Sequence, residues 1–126
     1  MKALIAVALG GATGALVRYS VYLMVDKWTN SPAPLATWAV NLIGCLLIGF
    51  LAPFMNTSSI PAQWRLFILV GFLGSFTTFS TFSLESVVLW QEGREGLVLL
   101  NAVGSVVAGI ALVWLGMQLH KGMFGQ

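Results

Sequence analysis

Apolar residues run almost unbroken along this chain, and polar residues collect at a few short interruptions. The first run extends from about Ala3 to Met24 and stops at Asp26, Lys27 and Trp28. The second begins at Leu35, after a linker holding Pro32 and Pro34, and ends at Met55. There Asn56, Thr57, Ser58, Ser59 and Pro61 spell a loop. The third occupies Trp64 to Trp90, and the fourth runs from Leu97 to Leu119 after the polar stretch Gln91 to Gly96, with His120 and Lys121 as its polar end. A hydrocarbon core of about 30 Å needs roughly 20 apolar residues per helix. The pattern therefore predicts an all-α membrane protein with one four-helix domain over residues 1–126 and spans at about 3–24, 35–55, 64–90 and 97–119. Fully helical, the third run would reach about 40 Å, more than the core needs, so it must tilt, protrude or break.

Composition strengthens this pattern. Of 126 residues, 58% are hydrophobic and only 8% charged, and the mean hydropathy of +0.90 leaves no room for a soluble domain. The N-terminal run continues into the first span without a signal-peptidase site and is expected to be a retained helix. Tryptophans 28, 38, 64, 90 and 114 fall near the proposed span ends, where an indole favours the headgroup level. Gly10, Gly11 and Gly14 give the first span a face of small residues for close helix packing.

Charge changes the picture further. Four spans put both termini and the middle loop on one side with Lys2, Arg65 and Lys121, and leave Lys27, Arg94 and the span-end Arg18 on the other. Three cations against three gives the positive-inside rule nothing to act on. This balance predicts dual topology, with oppositely inserted copies pairing as an antiparallel homodimer. Singly scattered cations make neither a nucleic-acid patch nor a polybasic lipid motif. The lone Cys45 and lone His120 supply no disulfide, metal cluster or catalytic constellation, so an enzyme is not expected.

Polar residues inside the spans are the candidate chemistry. The third span carries GFLGSFTTFSTFSLE from Gly71 to Glu85, dense in hydroxyls and glycines near mid-membrane. Either its Ser and Thr side chains bond their own backbone in a continuous helix, or the helix breaks against protein or a water-filled cavity. The excess length favours the break. Phe76, Phe79 and Phe82 recur every three residues, as core packing or as rings whose positive edges face a small anion. Asn41 offers amide donors to such an anion or glues two helices together. Arg18 snorkels at its helix end or draws anions to a pore mouth. Glu85 lines the opposite vestibule or bonds polar backbone near the break.

Three pieces carry a resemblance: GGATGALVRY from Gly10 to Tyr19, VNLIG from Val40 to Gly44, and above all the Gly71 to Glu85 stretch. In these the chain resembles the Fluc (CrcB) fluoride channel family, and the fourth span is its weakest match. The resemblance implies a passive, selective fluoride channel in the inner (plasma) membrane, two pores per antiparallel dual-topology homodimer, and fluoride resistance. By matching position, Phe79 and Phe82 would turn ring edges to fluoride and Asn41 would donate to it. A structural sodium ion would sit on the backbone carbonyls of Gly74 and Thr77. Arg18 would lie at the vestibule, with the Thr37, Ser80 and Ser105 hydroxyls forming a polar track. Two other classes stay open: a proton-coupled small exporter, for which Glu85 is the sole carboxylate candidate inside a span, and an assembly protein without transport.

Overall fold

The computed structural model describes residues 1–29, 31, 34–56 and 59–125, which leaves Pro32, Thr57 and Ser58 of the expected loops outside the described residues. Apolar backbone in a bilayer must satisfy its own N–H and C=O groups, and helices do this locally. Helices are the regular structure of the described residues, and four helical stretches are long and apolar enough to cross a membrane. Helix α1 spans Lys2–Trp28 and α2 spans Leu35–Met55. The third stretch, Ala62–Gln91, is divided. Its first part, α3, covers 62–76 and includes a π-helical segment at Leu66–Leu73; its second part, α4, is Phe79–Gln91. The fourth stretch, α5, is Glu95–Phe124, with a second π-helical segment at Leu100–Gly104. Helices α1, α3, α4 and α5 run beyond the apolar limits read from the sequence, because their polar end residues complete terminal turns.

Two seams of small residues hold the bundle together. Helix α1 lies against the π-helical part of α3 so closely that a Cβ on Gly10 would collide with the Phe67 carbonyl, and one on Gly14 with the Phe72 carbonyl. Helix α2 lies on α5 in the same manner, with Gly49 against the Val113 carbonyl and Gly116 against the Leu46 carbonyl. Without a hydrophobic effect between helices in lipid, such close backbone approach is what dispersion needs in order to hold them. Few large apolar residues are buried: Val40, Met55, Leu73, Phe76 and Leu89 are the main ones, while dozens face outward. Trp38, in the first turn of α2, turns its indole N–H inward, to Asn101.

The expected interruption of the third stretch is present and lasts two residues. Thr77 (φ −83°, ψ 159°) and Thr78 (φ −148°, ψ 121°) are extended between Phe76 and Phe79. Both are β-branched, a class that loses little in extended backbone. Thr78 then caps α4 by accepting the Thr81 N–H on its hydroxyl at 3.3 Å.

Candidate ion pathway at the break

The break is held open by a side chain from α2. Asn41 Nδ2 donates to the Thr78 carbonyl at 3.0 Å, and the Thr78 N–H donates to Asn41 Oδ1 at 2.8 Å. In a continuous helix that N–H would close on the Gly74 carbonyl, so Asn41 takes the place of one turn of helix. The carbonyl end of α3 and the amide end of α4 thereby face the same gap. Orphan carbonyls attract cations, and orphan amides at a helix N-terminus attract anions. Asn41 is thus helix glue in this chain, and one of its two amide hydrogens has no partner among the described residues.

Arg18 reaches this gap from α1. Its Nη1 donates to the Thr77 carbonyl at 3.4 Å, and the side chain is half-buried. The sequence placed it at a span end; the structure brings it to the break itself, because α1 is packed so tightly on α3. The gap opens into a groove of about 330 Å³ lined by Asn41, Gly74, Thr77, Thr78 and Phe79 among others.

The three phenylalanines of the motif part company here. Phe76 is buried and stacks on Phe72 at 5.9 Å with the rings 8° from parallel, which makes it core. Phe79 is 78% exposed, and it leans on Phe82 with ring centroids 5.5 Å apart at 31°. Ser80 is exposed next to this pair, with its hydroxyl 3.4 Å from that of Thr78. Gly74 is exposed and has lost its helical amide partner, so its carbonyl suits a hard cation. Thr77 fits less completely: one carbonyl lone pair meets the Arg18 guanidinium at 3.4 Å, and the other has no partner among the described residues. Two carbonyls from one chain are too few ligands for such an ion.

A second polar cluster lies one to two helical turns away, at Thr37, one turn before Asn41 on α2, and at Glu85, about two turns beyond Thr78. Thr37 is fully buried and donates to Glu85 Oε1 at 2.7 Å, and the Tyr22 hydroxyl is 2.5 Å from Thr37 Oγ1. Since Thr37 spends its proton on Glu85, Tyr22 is the donor to Thr37. Glu85 Oε2 is buried without a partner among the described residues. The carboxylate borders a cavity of about 360 Å³ whose rim includes Pro34, Glu92 and Arg94, the last two paired at 3.0 Å.

Ser105 is not brought to either cluster. Its buried hydroxyl has no partner among the described residues, and it borders apolar grooves between α2 and α5 with Cys45, Gly109 and Trp38. His120 is more than a membrane-end residue: its ring packs among Phe50, Phe54 and Phe124 with centroids 5.0 to 6.4 Å away. The sequence reading passed over Tyr22, Thr78 and Asn101. A lone Asn101 within Leu97 to Val103 carries the same signal that marked Asn41, an amide in an apolar run.

Known proteins bear on this geometry. A family profile described as "CrcB-like protein, Camphor Resistance (CrcB)" matches residues 5–117. The chain belongs to the CrcB family. Among curated relatives, the fluoride-specific ion channel FluC 2 of Symbiobacterium thermophilum is 43% identical over 114 residues, which is 90% of this chain and 93% of that protein. The fluoride-specific ion channel FluC of Novosphingobium aromaticivorans is 42% identical over 125 residues, covering 98% and 99%. That of Methylobacillus flagellatus is 42% identical over 117 residues, covering 91% of each. The CrcB match includes most of α1, all of α2, α3 and α4, and most of α5, so the break and both polar clusters lie inside it.

Proposed function

We propose that this chain is a passive fluoride-selective channel of the plasma membrane, working without enzymatic chemistry and lowering cytoplasmic fluoride. The observation that carries this reading is the Asn41-held break, flanked by Phe79 and Phe82, in a chain whose full-length relatives bear the name of fluoride-specific channels. Fluoride is small and strongly hydrated, and a conduit must replace its water with close donors without binding it too tightly for release. The free Asn41 amide hydrogen and the ring edges of Phe79 and Phe82 supply weak, close positive charge. Arg18 raises the local potential for an anion approaching the gap. The Ser80 hydroxyl extends the polar route, Thr37 joins it only through the Glu85 carboxylate it bonds, and Ser105 is a more distant candidate, placed as it is in an apolar groove. In acid surroundings hydrogen fluoride enters cells, dissociates inside and leaves as the anion down its gradient.

The same reading makes the functional unit an antiparallel homodimer with two pores. Phe79 is largely exposed, Gly74 lies on an open groove and one chain offers too few carbonyls to enclose an ion, so these surfaces call for a second copy. An inverted copy fits the three-against-three division of Lys and Arg. A sodium ion bound by Gly74 and Thr77 carbonyls of both copies would neutralise the carbonyl ends of the two breaks and tie them together.

Purified protein in liposomes loaded with potassium fluoride or potassium chloride tests the function. Rapid fluoride efflux with little chloride efflux is expected when valinomycin relieves the electrical potential. Absence of fluoride efflux, or equal rates for both halides, would overturn it.

A further inference from the structure

Helix α4 carries both pathway rings, yet within the chain it packs on the opening turns of α5 and its π-helical segment and on little else. Within one chain its apolar anchor is Leu89, near its far end, and nearer the rings three polar ties set its rotation: Asn41 at its cap, Thr37 on Glu85, and a third in the middle, at Asn101.

Asn101 is completely buried and sits in the π-helical segment Leu100–Gly104. Such segments widen a helix by one residue and aim a side chain that ordinary periodicity would place elsewhere. Its Oδ1 accepts from Trp38 Nε1 of α2 at 2.5 Å. Its Nδ2 donates to Ser86 Oγ at 2.9 Å and to the Phe82 carbonyl at 3.4 Å. Ser86 Oγ donates to that same carbonyl at 2.8 Å. The amide has both hydrogens committed and no exposed surface, so it has no capacity left to meet an ion. Its bonds end on the backbone of a ring that the proposed pathway uses.

We propose that Asn101 is a positioning residue for fluoride selectivity: through Ser86 and the Phe82 carbonyl it fixes the rotation of α4, and with it the direction of the Phe82 ring edge, relative to α2. This rests on the fluoride-channel reading of the Phe79–Phe82 pair. Trp38 is the other half of the tether, because it fixes which way the Asn101 amide faces. A hydrophobic residue of similar shape at 101 leaves the fold's glycine seams intact and lets α4 turn.

The test measures fluoride and chloride efflux from liposomes for wild type, Asn101→Leu, Phe82→Ile and the double variant, each checked for wild-type elution in detergent. Asn101→Leu is expected to lower fluoride efflux about tenfold and to narrow the fluoride-to-chloride ratio, and Phe82→Ile to lower efflux about tenfold. Because one residue acts through the other, the double variant is expected to match Phe82→Ile within about twofold, whereas independent effects would multiply to about a hundredfold. Multiplying losses, or wild-type flux and selectivity in Asn101→Leu, would overturn the proposal. If Asn101→Leu does not fold, Trp38→Phe, which keeps a ring and removes one donor, is expected to lower efflux about threefold with a narrowed halide ratio; no change there would overturn it equally. A wild-type protein that releases no fluoride would instead refute the channel reading, and the tether's role with it.

Discussion

Replacing Asn41 with Leu, a side chain of similar shape, deletes both bonds that keep the third span open. The Thr78 carbonyl loses a 3.0 Å donor and the Thr78 N–H loses a 2.8 Å acceptor, in a residue that is itself buried. A buried backbone group left without its partner costs about 1–3 kcal/mol, so two of them cost about 2–6 kcal/mol. Polar pairs within membranes average nearer 0.6 kcal/mol because the chain finds substitutes, and a substitute is at hand: the Gly74 carbonyl, one helical turn back. A working figure of about 2–4 kcal/mol corresponds to a shift of roughly 30- to 1000-fold away from the open break, taking 1.4 kcal/mol per decade. Asn41→Leu is therefore expected to reduce fluoride efflux from liposomes by at least about thirtyfold, while the protein still inserts and elutes as wild type does. Hydrogen exchange at the Thr78 amide reports the same event, since rewinding the helix alters its protection. Wild-type efflux from Asn41→Leu would refute the claim that this amide holds the pathway open.

Four further outcomes follow from the same geometry. Phe79→Ile and Phe82→Ile each replace a polarised ring edge by an aliphatic surface and are expected to lower fluoride efflux about tenfold or more, about 1.4 kcal/mol, and unchanged efflux in both would remove the rings from the pathway. Gly14→Val drives a side chain into the Phe72 carbonyl, so folded yield in detergent should collapse; a variant of undiminished yield and melting temperature would show that the α1–α3 seam yields easily. Glu85→Gln keeps the shape that Thr37 bonds and removes the only carboxylate within the third span; retained fluoride efflux is expected, and its loss would revive the proton-coupled exporter. Single cysteines near Lys2 and Arg94, in a Cys45→Ser background, are both expected to react with an impermeant reagent added outside intact cells, and labelling of only one site would end dual topology.

How much of this was legible beforehand varied with the range of the interaction involved. The four spans and the division of the third follow from local hydropathy, length and hydroxyl density, all properties of neighbouring residues. The position of the break did not, because Thr77 and Thr78 become extended only when Asn41, 37 residues earlier, captures the Thr78 backbone. The same holds for Arg18. Near a span end it reads as a snorkelling cation, and only the Gly10 and Gly14 contacts bring its guanidinium to Thr77. Asn101 was visible as an isolated amide, but its partners lie on two other helices, and a π-helical segment shifts it off the 3.6-residue period by which its face would be assigned. Ser105, grouped with the pathway by resemblance, lies in a groove between α2 and α5, a difference that hydropathy does not encode.

The glycine seam on α1 acts as a ruler as well as a joint. Gly10, Gly14 and Arg18 recur every four residues, so they rise along one face of the same rod, and the first two touch the backbone of the neighbouring helix directly. The guanidinium meets the Thr77 oxygen at 3.4 Å, near the outer limit of a hydrogen bond. A methyl group at either glycine would prise the rods apart and leave the cation dangling short of its mark. Gly10 and Gly14 thus calibrate where the one interior charge of α1 comes to rest, and the electrostatics of the gap are set one and two helical turns before the ionisable residue itself.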